Sequence, residues 1–305
     1  MSTAYAVIVR IKTYDIISCS ATVLSHAKIQ GENMSQIQTF NVNITTLNRE
    51  RKVWVYLPDG YSEKGTPYPV IYMHDGQNLF FDSCASYGAS WKVGETMDEL
   101  CQKGFPAIVV GVECDSALRL TEYSPWKINF FAFRAKRTDA RRPNNGGQGA
   151  LYAEYFATSL KQLIDSSYNT DKARQATAVA GSSMGGLISC YLGLKYQETY
   201  ETMGLFSTYT EFNQVRFDAF VRSTKQRLPQ HAFVYCGGKE WDHLTTDKRM
   251  LRNSLSLYNT LSKRKIHSKL VFDSQMKHFE TAWSVYFKQF ATDFLQRYYN
   301  GEKTE

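Results

Sequence analysis

Short apolar runs that alternate with helical patterns constrain the fold of this 305-residue chain more than any other feature. The runs VIYMHDG, AIVVGVE, ATAVAGS, MGLFST and HAFVYCGG have the length of buried strands. Several of the segments between them have the apolar spacing of helices, as in GETMDELCQKG and MGGLISCYLGLKYQE. This alternation predicts an α/β fold in which helices cover both faces of a mostly parallel sheet.

The beginning of the chain has a different pattern. The segments IQTFNVNIT and RKVWVYLP alternate as strands do and are parted by polar residues 48–51, which predicts an N-terminal antiparallel hairpin. Residues 1–33 lack the clean alternation of these segments, and charges interrupt their short apolar run, so they are not typical of a signal peptide. We expect an N-terminal extension over residues 1–33 and one α/β domain over residues 34–305, with Met34 as a candidate start.

The composition argues against several classes of protein. Lys plus Arg number 36 against 29 Asp plus Glu, giving a net charge of +7, and the basic residues are scattered, so we expect no nucleic-acid partner. No apolar run is long enough to predict a membrane span. The six cysteines form no C-x-x-C pair and several lie in apolar runs, which indicates reduced thiols and a cytoplasmic protein.

The stretch AGSSMGG has G-x-S-x-G spacing centred on Ser183. A strand-like run precedes it and a helical run comes after it, as a strained strand-to-helix turn with an exposed nucleophilic serine requires. Ser182 lacks glycines at this spacing, because Ala180 and Met184 lie two residues away from it. Ser183 is therefore the candidate nucleophile, and a plain Gly-Ser turn is the alternative.

A serine nucleophile needs a base. Four histidines follow Ser183 in the chain, and His278 alone comes directly after the last predicted strand, in VFDSQMKHFETAW. His231 and His267 lie near the starts of predicted strands, far from the carboxyl ends where reactive groups collect. His278 is therefore the candidate base.

The acid that orients such a histidine should follow the preceding strand, in the loop KEWDH. Glu240 is favoured there and Asp242 is the alternative, with Asp273 a more remote one.

Two backbone amides are expected to bind a developing oxyanion. One belongs to Met184, at the start of the helix after Ser183, and the other to Gln77 in MHDGQNLF, which follows an early buried strand. His74 and Asp75 in the same segment suggest a metal site only weakly, because no further ligands accompany them, so no metal is expected.

The blocks YLPDGY, YPVIYMHDGQNLF, EYSPW, GSSMGG, CGGKE and HFETAW together resemble the esterase-D-like branch of the α/β-hydrolases. That branch includes enterochelin-esterase-like, feruloyl (cinnamoyl) and acetyl-xylan esterases and the mycolyltransferases. The resemblance covers about residues 36–298 and implies an α/β-hydrolase fold and a serine esterase that needs no cofactor. It also implies Ser183 as nucleophile, His278 as base, Glu240 as acid and Gln77 as an oxyanion residue. The family often has Asp as the acid, so Asp242 stays open.

The resemblance leaves the substrate undecided. A carboxylic ester of short acyl, acetyl-sugar or hydroxycinnamoyl type is expected, and the alternatives are an acyltransferase with the same triad or an inactive binding protein. Arg119, Tyr123 and Trp126 lie in the aromatic and basic loop 116–148 and are candidate substrate contacts, with loop packing as the alternative. The sequence does not indicate an oligomeric state.

Overall fold

A single twisted sheet with helices on both faces forms the centre of the molecule. A computed structural model of the chain describes residues 24–25, 35–128 and 145–301. Part of the predicted loop, residues 129–144, and nearly all of the predicted N-terminal extension lie outside these ranges.

The sheet contains nine strands in the order β1-β2-β3-β5-β4-β6-β7-β8-β9. Neighbouring strands pair antiparallel in the first part of this order, β1-β2-β3-β5. Neighbouring strands pair parallel in the rest of it, β5-β4-β6-β7-β8-β9. The bounds are β1 Leu24–Ser25, β2 Gln36–Ile44, β3 Arg49–Leu57, β4 Val70–His74, β5 Ile108–Val112, β6 Thr177–Ser182, β7 Thr202–Phe206, β8 His231–Lys239 and β9 His267–Lys277. The predicted α/β-hydrolase fold, with its antiparallel hairpin and mostly parallel sheet, is confirmed.

The helices lie between these strands along the chain, except for the last helix, which follows β9. Their bounds are α1 Val93–Gln102, α2 Arg119–Glu122, α3 Gly149–Tyr155, α4 Lys161–Ser167, α5 Met184–Lys195, α6 Gln214–Ser223, α7 Leu244–Lys263 and α8 Glu280–Asn300. A π-helical segment, Phe156–Leu160, joins α3 to α4. Among the described residues, no helix combines the length and the apolar character that crossing a bilayer would require.

Each face of the sheet has its own apolar core, because successive side chains of a strand point to opposite faces. Tyr72 of β4 packs in the cluster that contains the apolar sides of α3 to α7, whereas Ile71 and Met73 pack in the cluster with α1 and α8. All five residues of β4, β5 and β7 are buried, as expected for central strands covered on both sides.

The structure corrects the sequence prediction at several elements. The sequence pattern did not predict α6 or the two-residue strand β1, and β9 extends past the predicted SKLVFD to Lys277. Part of the loop that was predicted to lack regular structure forms α2. This helix is held against β3 because Glu122 Oε1 accepts hydrogen bonds from Arg49 and Arg51 of that strand, at 2.8 and 2.5 Å. His231 and His267 begin β8 and β9, as predicted.

Candidate active site

Ser183 occupies the turn between β6 and α5. Its backbone has φ 57° and ψ −117°, a strained conformation for a residue other than glycine. The tight turn requires glycine at position 181, because a Cβ there would lie 2.8 Å from the carbonyl carbon of Gly185. Ser182 is 5 % exposed as the last residue of β6, whereas Ser183 is partly exposed. The turn therefore presents Ser183, and not its neighbour, at the carboxyl edge of the sheet.

His278 and Glu240 are brought together by the adjacent strands β9 and β8. Glu240 Oε2 lies 2.5 Å from His278 Nδ1, and the His278 amide donates to the Glu240 carbonyl at 3.1 Å. The other oxygen, Oε1, accepts from the Gly237 amide at 2.6 Å and from the Ser207 hydroxyl at 2.7 Å. Since Glu240 is 3 % exposed and both of its oxygens are bonded, the carboxylate holds the imidazole by Nδ1 and leaves Nε2 for other contacts.

The two alternative acids are engaged elsewhere. Asp242 is exposed and pairs with Lys277 Nζ at 2.5 Å. Asp273 Oδ2 accepts from the Tyr286 hydroxyl at 2.5 Å, and its Oδ1 accepts from the Gln275 amide. Of the three carboxylates considered from the sequence, Glu240 is therefore the one bonded to His278.

Gln77 and Met184 follow the neighbouring strands β4 and β6 at the same edge. Met184 is the first residue of α5, and Gln77 is the middle residue of a 3₁₀ turn, Gly76–Asn78. The Gln77 side chain exchanges hydrogen bonds of 3.2 Å with Cys114, its Nε2 donating to Sγ and its Oε1 accepting from the amide. This turn, called here the oxyanion loop after the role that we propose for it below, is thereby attached to the residues after β5.

Arg119 binds Asp75, the residue that precedes the oxyanion loop. Its Nε and one terminal nitrogen, Nη2, donate to the two carboxylate oxygens of Asp75, each at 2.8 Å. Burial would raise the pKa of the Asp75 carboxyl, but the Arg119 guanidinium holds it below its ordinary value. The structure thus assigns Arg119 an internal ion pair in addition to any contact with substrate.

The other two predicted substrate contacts pack the interior. The Tyr123 side chain is fully buried, and its hydroxyl accepts a hydrogen bond from the Asp75 amide at 3.1 Å. The Trp126 ring is half-buried and packs against Tyr191 and Phe220 at centroid distances of 6.0 and 5.6 Å. The Tyr123 side chain thus has no accessible surface in this arrangement, and Trp126 anchors the loop, so both have the contacts of the packing alternative.

His74 has the surroundings of a structural histidine. Its Nδ1 lies 3.0 Å from the Tyr152 hydroxyl, and burial lowers its pKa to about 3, so the ring is neutral. Its Nε2 is buried and has no hydrogen-bond partner among the described residues. Within residues 24–25, 35–128 and 145–301, no three His, Cys, Asp or Glu side chains form a group that could hold a metal ion.

The sequence interpretation missed four residues around this site: Ser207, which supports Glu240; Trp241, which stacks on His278; and Asn78 and Glu280, which link the oxyanion loop to α8. Ser207 follows β7 at the carboxyl edge, so its position relative to the strand was the signal that could have found it. Asn78 and Glu280 are 202 positions apart, and nothing in either segment indicates the contact.

Comparison with known proteins agrees with the fold and shows the family. The model of the Esterase family matches residues 44–292, and the chain belongs to that family. A curated relative, the uncharacterized protein YbbA of Bacillus subtilis, is 24% identical over 70% of this chain and 79% of its own length.

Solved structures show the same architecture. A ferulic acid esterase covers 86% of this chain and 99% of its own, with 19% identity and a TM-score of 0.61. An IroE-like serine hydrolase from Shewanella oneidensis covers 88% of this chain and 82% of its own, with 16% identity and a TM-score of 0.66. The predicted membership of the esterase branch of the α/β-hydrolases is confirmed, and the protein is a carboxylic ester hydrolase.

Proposed function

We propose that the protein hydrolyses esters through Ser183, His278 and Glu240. The observation that carries the proposal is the partly buried hydrogen bond between Glu240 Oε2 and His278 Nδ1, at the edge of the sheet where the strained turn presents Ser183. His278 accepts the Ser183 proton as the hydroxyl attacks the ester carbonyl, and Glu240 stabilises the imidazolium that forms. The amides of Gln77 and Met184 bind the oxyanion.

The second half of the reaction uses the same groups. The tetrahedral intermediate collapses when His278 returns the proton to the departing alcohol oxygen, which leaves an acyl-enzyme on Ser183. Water, deprotonated by His278, then attacks the acyl carbonyl. The bond to Ser183 Oγ breaks as His278 returns the proton to that oxygen, which releases the acid and restores the enzyme. An added alcohol that competed with water at this step would give a transfer product, so product analysis separates hydrolysis from acyl transfer.

The two adjacent serines provide the test of this assignment. Ser183→Ala is expected to lower kcat for p-nitrophenyl acetate by about 10⁴-fold or more, because the nucleophile is lost. Ser182→Ala removes a neighbouring hydroxyl that belongs to β6 and should leave most of the activity. A fluorophosphonate should label the wild type and Ser182→Ala but not Ser183→Ala. Equal losses in the two variants, or labelling of Ser183→Ala, would contradict the assignment.

For the substrate class we propose an aromatic acyl ester of the hydroxycinnamoyl type. The Trp241 ring stacks on the His278 ring at 4.6 Å and 21° and is still 50% exposed. Tyr87 is 72% exposed, and its ring lies 6.4 Å from that of Phe279, the residue after His278. Two exposed aromatic rings beside the proposed base offer stacking surfaces for an aromatic acyl group. The similarity to a ferulic acid esterase supports the same class.

A substrate panel tests this choice through a ratio. Wild type should have a higher kcat/KM for methyl ferulate than for methyl acetate. Trp241→Leu should lower the quotient of these two values by about tenfold, through a higher KM for the ferulate. Any general effect of Trp241 on His278 cancels in the ratio. Leu255→Ala, which trims another exposed apolar side chain on α7, is the control and should not change the ratio. A wild-type preference for acetyl or butyryl esters would favour a short-acyl substrate instead.

A further inference from the structure

A buried glutamate joins the oxyanion loop to the segment that carries the proposed base. Glu280 is the first residue of α8, two positions after His278, and is 2% exposed. Its Oε1 accepts a hydrogen bond from Asn78 Nδ2 at 3.4 Å. Its Oε2 is buried and has no hydrogen-bond partner among the described residues. The proposed mechanism does not use this carboxyl group.

Asn78 is the residue through which Glu280 acts on the loop. It directly follows Gln77, and its amide donates to the Asp75 carbonyl at 2.8 Å. The Asn78 side-chain oxygen accepts from the Ser86 amide at 2.8 Å, and its carbonyl accepts from the Trp91 amide at 2.9 Å. The hydrogen bond to Glu280 uses the remaining polar atom of Asn78, the side-chain nitrogen. The Glu280 contact therefore completes the hydrogen bonds that hold Asn78, the residue next to Gln77.

The surroundings of Glu280 favour its neutral form. Burial raises the pKa of the Glu280 carboxyl from 4.5 to about 7, although its own backbone amide acts in the opposite direction. The Asp75 carboxylate raises the pKa further, and the Arg119 guanidinium, which is already bound to both Asp75 oxygens, lowers it. Asp75 at the end of β4 and Arg119 on α2 are the charged groups that act on this carboxyl from neighbouring elements. If Glu280 ionised, a second buried carboxylate would lie near that of Asp75, and its Oε2 would have no hydrogen-bond partner among the described residues. Burying a charge in this way is energetically unfavourable.

We propose that Glu280 is a positioning residue that holds the oxyanion loop in its working geometry as a neutral carboxylic acid, and that its ionisation impairs catalysis. A carboxylate two residues from His278 and bonded to the neighbour of Gln77 opposes the negative charge that develops on the substrate oxygen. The inference rests on the proposed function, because it takes the Gln77 amide as an oxyanion donor.

Two substitutions separate the charge from the hydrogen bond. Glu280→Gln keeps an acceptor for Asn78 and cannot ionise, whereas Glu280→Ala removes the acceptor at every pH. The pH dependence of kcat is measured with a non-ionisable ester from about pH 5 to about pH 9. We expect wild-type kcat to decline above about pH 7 and Glu280→Gln to lack this decline. Glu280→Ala should lose about tenfold in kcat throughout the range, with a smaller change in KM.

Glu201→Gln is the matched control for these profiles. Glu201 is likewise buried, at 8% exposed, and has a pKa raised by burial, but it precedes β7 at the opposite edge of the sheet and pairs with Arg174. Its variant should keep the wild-type profile. An alkaline decline that is unchanged in Glu280→Gln, or a loss in Glu280→Gln as large as in Glu280→Ala at low pH, would overturn the proposal.

A stability measurement in the Ser183→Ala background tests the neutral state independently of the triad. A carboxyl whose pKa is higher in the folded state contributes stability below its unfolded pKa, and this contribution is lost as the pH rises through its folded pKa. The Tm of Glu280→Gln minus that of the parent should therefore increase between about pH 4.5 and about pH 7 and then level off. A constant difference would exclude a neutral Glu280. If Ser183→Ala retained full activity, the proposed function would fail while this stability result still stood.

Discussion

At the level of single residues, burial distinguishes the two carboxylates of the loop after β8. Glu240 is 3% exposed and uses both oxygens within the site, whereas the Asp242 side chain is 54% exposed and faces Lys277. A buried carboxylate can fix the orientation of an imidazole and stabilise its cation, because little water competes for the bond. An exposed ion pair contributes little, since water and salt screen it.

This difference predicts the outcome of two isosteric substitutions. Glu240→Gln should lower kcat by about 10³- to 10⁴-fold, because an amide cannot stabilise the imidazolium in the same way. Asp242→Asn should change kcat by less than about threefold, as expected for a screened surface charge. Both are measured on the same ester, with the Tm of each variant as evidence of folding.

The reverse order of effects would make Asp242 the acid in solution and would require the loop 240–243 to rearrange. Similar large losses in both variants, at unchanged Tm, would mean that the charge of the loop matters more than the single hydrogen bond.

The sequence marks a residue as a candidate for the site when a local motif or a place directly after a predicted strand is enough to single it out. Ser183 was selected by its G-x-S-x-G spacing and His278 by its place after the last predicted strand, and in the structure each directly follows a strand in the parallel part of the sheet. Arg119 and Tyr123 were interpreted less well, since their partner Asp75 is 44 positions away from Arg119 and nothing in the loop sequence indicates an internal ion pair. A partner distant in the chain becomes visible only in the folded structure.

At the level of elements, the carboxyl end of β8 is shaped by two consecutive glycines. A Cβ on Gly237 would lie 2.5 Å from the Met276 carbonyl oxygen, and one on Gly238 would lie 2.5 Å from the Ser274 Cα. The register between β8 and β9 also shifts between Gly237 and Lys239. The close approach of the two backbones sets the positions from which Glu240 and His278 meet.

Gly238→Ala should therefore separate the ends of these strands. The obstructing atoms belong to backbone, so the new methyl group cannot be accommodated by a side-chain rotation, and we expect a destabilisation of about 1–3 kcal/mol. The displacement of Glu240 should lower kcat by at least about tenfold. Chemical denaturation and ester hydrolysis measure the two effects.

Gly94→Ala is the control, because its Cβ would meet no atom closer than 3.9 Å and the position lies within α1. It should be neutral or slightly stabilising. Wild-type stability and activity in Gly238→Ala would show that β9 can move away from β8 without consequence for the site.

Elements with strong apolar periodicity were predicted, and weaker ones were not. The helix α6 buries only Phe217 and Val221, so its apolar stripe is too narrow to distinguish it from a loop. The last strand, β9, has no fully buried residue, and its apolar run therefore ended in the sequence before the strand does. The buried central strands produced continuous apolar runs that were read correctly.

At the level of the whole molecule, the order of elements along the chain predicted the class of fold, because parallel strands separated by helices have few compact arrangements. The sequence could not predict the polar network around the oxyanion loop. Asp75 and Asn78 come from the segment after β4, Arg119 from α2 and Glu280 from the start of α8, and their contacts depend on how these three distant segments meet at the edge of the sheet. The reaction class was therefore accessible from sequence, while the support of the site was not.

The position of His278 has a consequence for local stability. It lies in the two-residue connection between β9, the last strand in the order of the sheet, and α8, whose Trp283 and Phe287 are buried in the core. Strands with few buried residues open more readily than central ones, and local opening does not require the whole domain to unfold. Amide hydrogen exchange in β9 should then be faster than in β4 or β6, and brief opening of this edge would interrupt the bond between His278 and Glu240 while the rest of the sheet stays intact.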